Sequence, residues 1–140
     1  MQQEIQRDPT GAMDRKALVM LVDDNVDLLK AYRWILEAEG YAVATASGGE
    51  EALQALSDGL RPDGIFIDYS MPLMDGGELV QKIREQNPQI ATGCLVILTS
   101  FSPNAPQLED AKIAGVDIAE KPNDIDSLNP LVSRFLKKPL

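Results

Sequence analysis

Side chains with useful chemistry stand directly after four short apolar runs in this sequence. They are Asp23, Asp24, Asp68, Thr99 and, following Glu120, Lys121. Carboxylates that share one cleft repel one another, so they need a cation or must shift their pKa values upward. The chain has no histidine and one cysteine, so an all-oxygen site favours a hard cation such as Mg²⁺.

A carboxylate held beside Mg²⁺ can act as the nucleophile of phosphoryl transfer. This reaction depends on positive charge and hydrogen-bond donors around the equatorial oxygens more than on acid–base groups. The ammonium of Lys121 and the hydroxyl of Thr99 are suitable donors. These residue types therefore favour an aspartate that accepts a phosphoryl group, provided that the fold brings them together.

Apolar runs and helical patterns alternate along the chain. The predicted strands are residues 17–22, 41–46, 65–67, 94–98 and 116–119, and the predicted helices are 25–39, 47–56, 75–87, 106–114 and 129–138. This alternation predicts an α/β fold with a parallel sheet covered on both faces and right-handed crossovers. Because the carboxyl ends of such strands line one crevice, we expect the polar residues to meet there.

Three helix starts have local sequence signals. Ser47 and Glu50 have the spacing of a capping box, Asp75 and Glu78 repeat it, and Asn129-Pro130 are predicted as the cap and first residue of the last helix. Trp34 is predicted to be partly buried and Cys94 to be an unreactive core residue.

Composition narrows the classes of partner. The 140 residues have a formal net charge of −9, which disfavours nucleic acid and anionic membrane surfaces as direct partners. One cysteine cannot form an internal disulfide, and no apolar run approaches the length of a membrane span. We expect a cytoplasmic protein with a mobile leader at residues 1–16 and one domain at residues 17–138.

Four segments together resemble the receiver domain of two-component response regulators. They are Leu-Val-Asp-Asp-Asn at 21–25, Ile-Asp-Tyr-Ser-Met-Pro-Leu-Met-Asp-Gly at 67–76, Ile-Leu-Thr-Ser at 97–100 and Glu-Lys-Pro at 120–122. Each motif is common by chance, but all four occur in order and at strand ends. The resemblance implies a flavodoxin-like, doubly wound five-stranded parallel sheet of order 2-1-3-4-5 with five helices.

The resemblance also implies a role for each polar residue. Asp68 matches the phospho-acceptor, Asp23 and Asp24 match the acidic pair that binds Mg²⁺, and Ser70 matches the position whose backbone carbonyl binds the metal. The residues that match the contacts to the phosphoryl group are Thr99 and Lys121. A receiver of this kind is a signalling switch rather than an enzyme, although it supports its own Mg²⁺-dependent phosphorylation and dephosphorylation. The implied partners are a sensor histidine kinase or phosphotransfer protein, and a downstream protein target or an effector domain.

Two positions depart from the family pattern. Ile118 stands where many members have the aromatic ring that moves on phosphorylation, and Ser100 stands where alanine or glycine is common. Ile118 has no ring to move, so we expect the switch to act mainly through residues 99–106, including Phe101.

Other functions remain open from the sequence. A pseudo-receiver would bind proteins without being phosphorylated, but the complete acidic set argues against it. A phosphatase or mutase of the aspartyl-phosphate type usually has a second acid two residues after the nucleophile, where this chain has Ser70. A flavin or dinucleotide carrier would need a glycine-rich loop after the first strand, and none is present.

Overall fold

A computed structural model describes residues 6–7, 13–14, 16–90, 94–100, 106–108 and 116–136. Five parallel strands form the central sheet: β1 (Leu18–Val22), β2 (Ala42–Ala46), β3 (Gly64–Asp68), β4 (Leu95–Thr99) and β5 (Asp117–Glu120). Their order is β2-β1-β3-β4-β5, which confirms the predicted 2-1-3-4-5 topology. A separate antiparallel pair joins Gln6–Arg7 to Met13–Asp14.

Four α-helices are present in the described residues. They are α1 (Val26–Ala38), α2 (Gly49–Ser57), α3 (Gly76–Gln86) and α4 (Leu128–Leu136), with short 3₁₀ turns at Pro106–Leu108 and Ile125–Ser127. The helix predicted at residues 106–114 lies largely outside the described residues, and its first three residues form the earlier 3₁₀ turn.

Two apolar clusters cover the two faces of the sheet. One packs α2 and α3 on alternate residues of the strands, including Met20, Ile65 and Ile97. The other packs α1 and α4 on the intervening residues, such as Leu21 and Phe66. Every residue of β3 and β4 is buried, which explains why these segments read as continuous apolar runs rather than alternating ones. The helices on both faces hold the strands in place, and the carboxyl ends of the parallel strands lie together at one edge of the sheet.

The helix starts differ in detail from the sequence predictions. The Asp75 carboxylate accepts a hydrogen bond from the Glu78 N–H, as expected. At α2, however, Glu51 rather than Glu50 reaches back: its carboxylate accepts bonds from the backbone N–H and hydroxyl of Ser47, at 2.6 and 2.8 Å. The N-cap there is Gly48, which starts the helix one residue later than predicted and so shifts the acidic partner by one position.

The last helix also begins earlier than predicted. Asp124 caps a 3₁₀ turn by accepting a hydrogen bond from Ser127, and this turn leads directly into α4 at Leu128. Asn129 and Pro130 therefore lie inside the first turn of the helix rather than at its cap. Proline is tolerated there because the first N–H groups of a helix have no intrahelical partner.

Two burial predictions were wrong. Trp34 is 72% exposed, because it projects from α1 on the side opposite Leu29, Tyr32 and Leu36, which face the sheet. Cys94 is partly exposed, because it precedes β4 instead of opening it.

Candidate functional site

The strand register brings the predicted site residues to one edge of the sheet. Val22 at the end of β1 pairs with Ile67 of β3. Asp23 and Asp68, the next residue after each of these, therefore lie side by side. On the other side of β3, Asp68 pairs with Leu98, and Thr99 pairs with Glu120 of β5. Parallel strands thus place residues from distant parts of the chain side by side.

The turn between β1 and α1 separates the two adjacent carboxylates. One oxygen of Asp23 accepts a 2.9 Å hydrogen bond from the Asn25 N–H, and Asn25 in turn caps α1 through the Leu28 N–H. This turn holds Asp23 in the interior and leaves Asp24 exposed. Asp23 and Asp24 therefore offer one fixed and one accessible carboxylate.

Lys121 lies between two of the acids. Its ammonium is 2.8 Å from Asp23 Oδ2 and 3.4 Å from Asp68 Oδ1. Its position is set by the backbone, because the Lys121 N–H donates a 2.8 Å hydrogen bond to the Thr99 carbonyl at the end of β4. Burial opposes the charged form of the lysine, but the hydrogen bond to Asp23 and the nearby carboxylates outweigh it and raise the pKa of Lys121. The lysine stays protonated at neutral pH.

The charged form of the Asp68 carboxylate is destabilised by its surroundings. Asp68 is 7% exposed, and burial together with the charges of Asp23 and Asp24 raises its pKa to about 6, even though Lys121 acts in the opposite direction. The carboxylate is ionised at pH 7, but its charge is poorly solvated. An additional cation or the loss of the charge would both relieve it.

The three aspartates form a group with the spacing of a cation site. Each of Asp23, Asp24 and Asp68 offers a carboxylate oxygen, and these oxygens lie within 4.8 Å of one another. An all-carboxylate set in a partly open pocket suits Mg²⁺, which retains water and binds through few protein ligands. The donor chemistry therefore fits the cation that the sequence predicts.

The loop that follows Asp68 has an unusual conformation. Leu73 has a φ of 71°, and the Met74 N–H donates a 2.7 Å hydrogen bond across it to the Pro72 carbonyl, which describes a γ-turn. Its side chain is fully exposed, whereas Met71 and Met74 on either side are buried. Sequence reasoning did not identify Leu73, because leucine gives no signal for positive φ.

Gly76 fixes the far end of this loop. Its N–H donates a 2.8 Å hydrogen bond to the Tyr69 carbonyl, and a Cβ atom at Gly76 would lie 2.9 Å from Tyr69 Cα and 3.0 Å from the Asp68 carbonyl oxygen. The start of α3 therefore packs directly on the backbone of the candidate phospho-acceptor. Ser70, within the loop, is exposed.

The remaining predicted residues lie within or directly after β4 and β5. Thr99 is almost fully buried and Ser100 is exposed. Ile118 is half-buried and packs against the cluster on the α2–α3 face. Phe101 lies outside the described residues.

Tyr32 is a further residue near the site that the sequence did not single out. It is buried on α1, and burial raises its pKa, with smaller effects from the charges of Lys121, Asp23 and Asp68. Its spacing from Leu29 and Leu36 along the helix indicated only that its side chain would be buried in the core.

Comparison with known proteins agrees with this arrangement. The profile for the "Response regulator receiver domain" matches residues 19–133. The chain is 30% identical over 126 residues to the alkaline phosphatase synthesis transcriptional regulatory protein PhoP of Bacillus subtilis, covering 90% of this chain and 50% of PhoP. It is 31% identical over 126 residues to the DNA-binding transcriptional regulator NtrC of Escherichia coli, covering 87% of this chain and 25% of NtrC. The chain thus spans half or less of these relatives.

Solved structures show the same likeness. The chemotaxis response regulator CheY4 of Vibrio cholerae matches with a TM-score of 0.72 and 31% identity, covering 86% of this chain and 99% of CheY4. The response regulator TrrA of Thermotoga maritima, determined in complex with Mg²⁺ and BeF, matches with a TM-score of 0.68 and 28% identity, covering 86% of this chain and 99% of TrrA. Among the described residues, no helix has the length and apolarity needed to cross a membrane. The match over residues 19–133, with the shared sheet and the acidic cluster at its edge, shows that the chain belongs to the response regulator receiver domain family of two-component systems.

Proposed function

We propose that this receiver accepts a phosphoryl group on Asp68 from a histidine kinase or phosphotransfer protein, with Mg²⁺, and then changes a protein-binding surface. The observation that supports this proposal most directly is the grouping of Asp23, Asp24 and Asp68 with the ammonium of Lys121. The Asp68 carboxylate is ionised at pH 7 and can attack phosphorus. The bond from phosphorus to the donor nitrogen breaks as the bond to the Asp68 oxygen forms.

Each neighbouring residue has a distinct task in this proposal. Bound Mg²⁺ would supply positive charge against the phosphoryl oxygens and the carboxylates, with Asp24, Asp68 and the Ser70 carbonyl as ligands and Asp23 acting nearby, through water. Lys121 stays protonated and shifts from Asp68 toward a phosphoryl oxygen, which its 3.4 Å separation from Asp68 permits. The Thr99 hydroxyl donates to another oxygen. Asp23 keeps Lys121 in place through the shorter, 2.8 Å contact.

A small phosphodonor tests the acceptor. With acetyl phosphate and Mg²⁺, we expect the intact mass to increase by one phosphoryl group, and Asp68→Asn to abolish the increase. Asp75→Asn is a matched control in the same loop, because asparagine also caps helices and Asp75 serves α3 as its N-cap. Labelling that persists in Asp68→Asn would contradict the assignment. A wild-type protein that binds Mg²⁺ but never gains mass would instead be a pseudo-receiver.

We expect the conformational switch in this chain not to use the movement of an aromatic ring at position 118. Ile118 has stiff χ1 preferences and no ring, so its burial in two states gives little energy difference. We expect beryllofluoride to shift the NMR signals of residues 99–106, including the Phe101 ring, more than the Ile118 methyl groups. A large change at Ile118 with a static Phe101 would refute this view.

The output is proposed to be a protein contact. PhoP and NtrC are transcriptional regulators about two and four times as long as the region that matches this chain. We propose that phosphorylation alters a surface that a downstream protein or an effector domain reads.

A further inference from the structure

A cleft outside the phosphorylation site lies between α1 and the β2–α2 junction. It encloses about 330 Å³, which is at the lower end of the size range of small-molecule sites. Val26 and Leu29 provide an apolar wall, Lys30 and Arg33 lie one turn apart beside it, and Ser47 and Glu51 face them from the β2–α2 side. None of these residues takes part in the proposed phosphoryl transfer.

The charges around the cleft leave one cation without a partner. Glu51 is bound to the Ser47 N–H and hydroxyl, which lower its pKa and keep it ionised on the far wall. Arg33 uses Nε to contact Glu37 at 3.2 Å, so its other N–H groups are not engaged by that pair. In the described part of the chain, Lys30 makes no ion pair.

The apolar wall is accessible to a ligand. Val26, the first residue of α1, is half exposed, whereas Leu29 behind it is largely buried. Trp34 is exposed on the same helix but does not line the cleft. An occupant would therefore place an apolar group on Val26 and Leu29 and an anionic group near Lys30.

We propose that this cleft binds a small amphipathic anion, with a carboxylate or phosphate on Lys30 and Arg33 and an apolar group against Val26 and Leu29. The chain as a whole is acidic, with a net charge of −9, and therefore repels anions in general. An anion can therefore bind only where cationic side chains are grouped locally, as Lys30 and Arg33 are beside this cleft. The experiment below tests the effect of that local group.

The experiment is an NMR titration of the ¹⁵N-labelled full chain in metal-free buffer, in which the acidic cluster has no cation to attract the probe. The probes are phenyl phosphate, phenylacetate, inorganic phosphate and 2-phenylethanol. We expect saturable shifts at the amides of Lys30, Arg33 and Ser47 with the first two, in the low millimolar range for ligands of this size. Inorganic phosphate and the neutral alcohol should bind at least several-fold more weakly, since each lacks one half of the proposed ligand.

Two variants locate the charge that matters. Lys30→Gln should weaken the binding of both amphipathic anions about fivefold, as expected for one partly exposed ion pair. Lys82→Gln is the matched control, because Lys82 is a lysine of α3 that lines a different, smaller cleft. The ratio of the two anions' affinities distinguishes a phosphate ligand from a carboxylate ligand. Absence of saturable shifts with both anions, equal binding of 2-phenylethanol, or unchanged affinity in Lys30→Gln would each overturn the proposal.

Discussion

At the scale of single residues, Asp68 has a carboxylate that its surroundings destabilise. Burial and the charge of Asp23 raise its pKa from 3.8 to about 6, so the folded protein holds this proton more firmly than the unfolded chain does. Between these two pKa values the native state binds more protons, and its stability therefore falls as the pH rises. Above about pH 6 the carboxylate is ionised in both states, and its charge lowers the free energy of unfolding by the full amount.

Asp68→Asn should consequently stabilise the metal-free protein at pH 7.5. We expect a gain of about 1–3 kcal/mol, the order of magnitude that a shift of this size represents. The gain should shrink as the pH falls from about 6 to about 4, because the native carboxyl group of the wild type is then protonated and the cost of its charge is removed. Urea unfolding of both proteins at several pH values measures this difference, with Asp75→Asn as the control. A variant less stable than wild type at pH 7.5 would show that the ion pair with Lys121 dominates instead.

Leu73 is a second residue under local strain, since positive φ disfavours any residue with a Cβ atom. Its side chain makes no buried contact, so truncation should cost little. We expect Leu73→Gly to be more stable than Leu73→Ala by about 1 kcal/mol, the reverse of the usual order of these two residues. Denaturant unfolding of the two variants measures the difference. An alanine variant as stable as the glycine variant would argue against the γ-turn in solution.

At the scale of secondary-structure elements, the start of α3 is built against the backbone that positions Asp68. Gly76→Ala would place a methyl group 2.9–3.0 Å from the backbone of Asp68 and Tyr69, which cannot move independently of β3. We expect a loss of about 1–3 kcal/mol in stability, typical of overpacking, and slower phosphorylation by acetyl phosphate.

The adjacent glycine provides the control for this prediction. A Cβ atom at Gly77 would lie 3.5 Å from an Asp75 carboxylate oxygen and 3.8 Å from the Tyr69 ring, which are ordinary contacts. Gly77→Ala should therefore be neutral or stabilising by up to about 1 kcal/mol, because alanine is the better helix former. Equal effects of the two substitutions on unfolding and on phosphorylation would contradict the close packing at Gly76.

At the scale of the whole molecule, the chain has a net charge of −9, and three of its acids are grouped where a cation is expected. Mg²⁺ that binds only the folded state should raise the free energy of unfolding by about 1.4 kcal/mol at ten times its dissociation constant. Asp24→Asn should lose most of this effect, because Asp24 is the exposed carboxylate of the cluster. Thermal unfolding with and without Mg²⁺ measures it. Asp27 is an exposed acid in the first turn of α1 outside the cluster, so Asp27→Asn should respond to Mg²⁺ as the wild type does. An unchanged response in Asp24→Asn would contradict the metal assignment.

The sequence by itself determined the architecture and the set of residues at the site. Apolar runs such as 95–98 are buried on both faces, and this burial is visible locally as an unbroken hydrophobic segment. Strand ends are visible in the same way, because a polar residue follows each run. Once the strands are parallel, Asp23, Asp68 and Thr99 must lie at one edge of the sheet.

Only the tertiary structure decided how these residues interact. The preference of Lys121 for Asp23 over Asp68, and the raised pKa of Asp68 that results from burial, depend on distances between segments far apart in the chain. Trp34 is exposed because it lies on the face of α1 opposite the residues that pack on the sheet, although its spacing alone suggested partial burial. The γ-turn at Leu73 is imposed by the anchoring of Met71, Met74 and Gly76 on either side, because a short loop fixed at both ends must adopt whatever backbone conformation closes it.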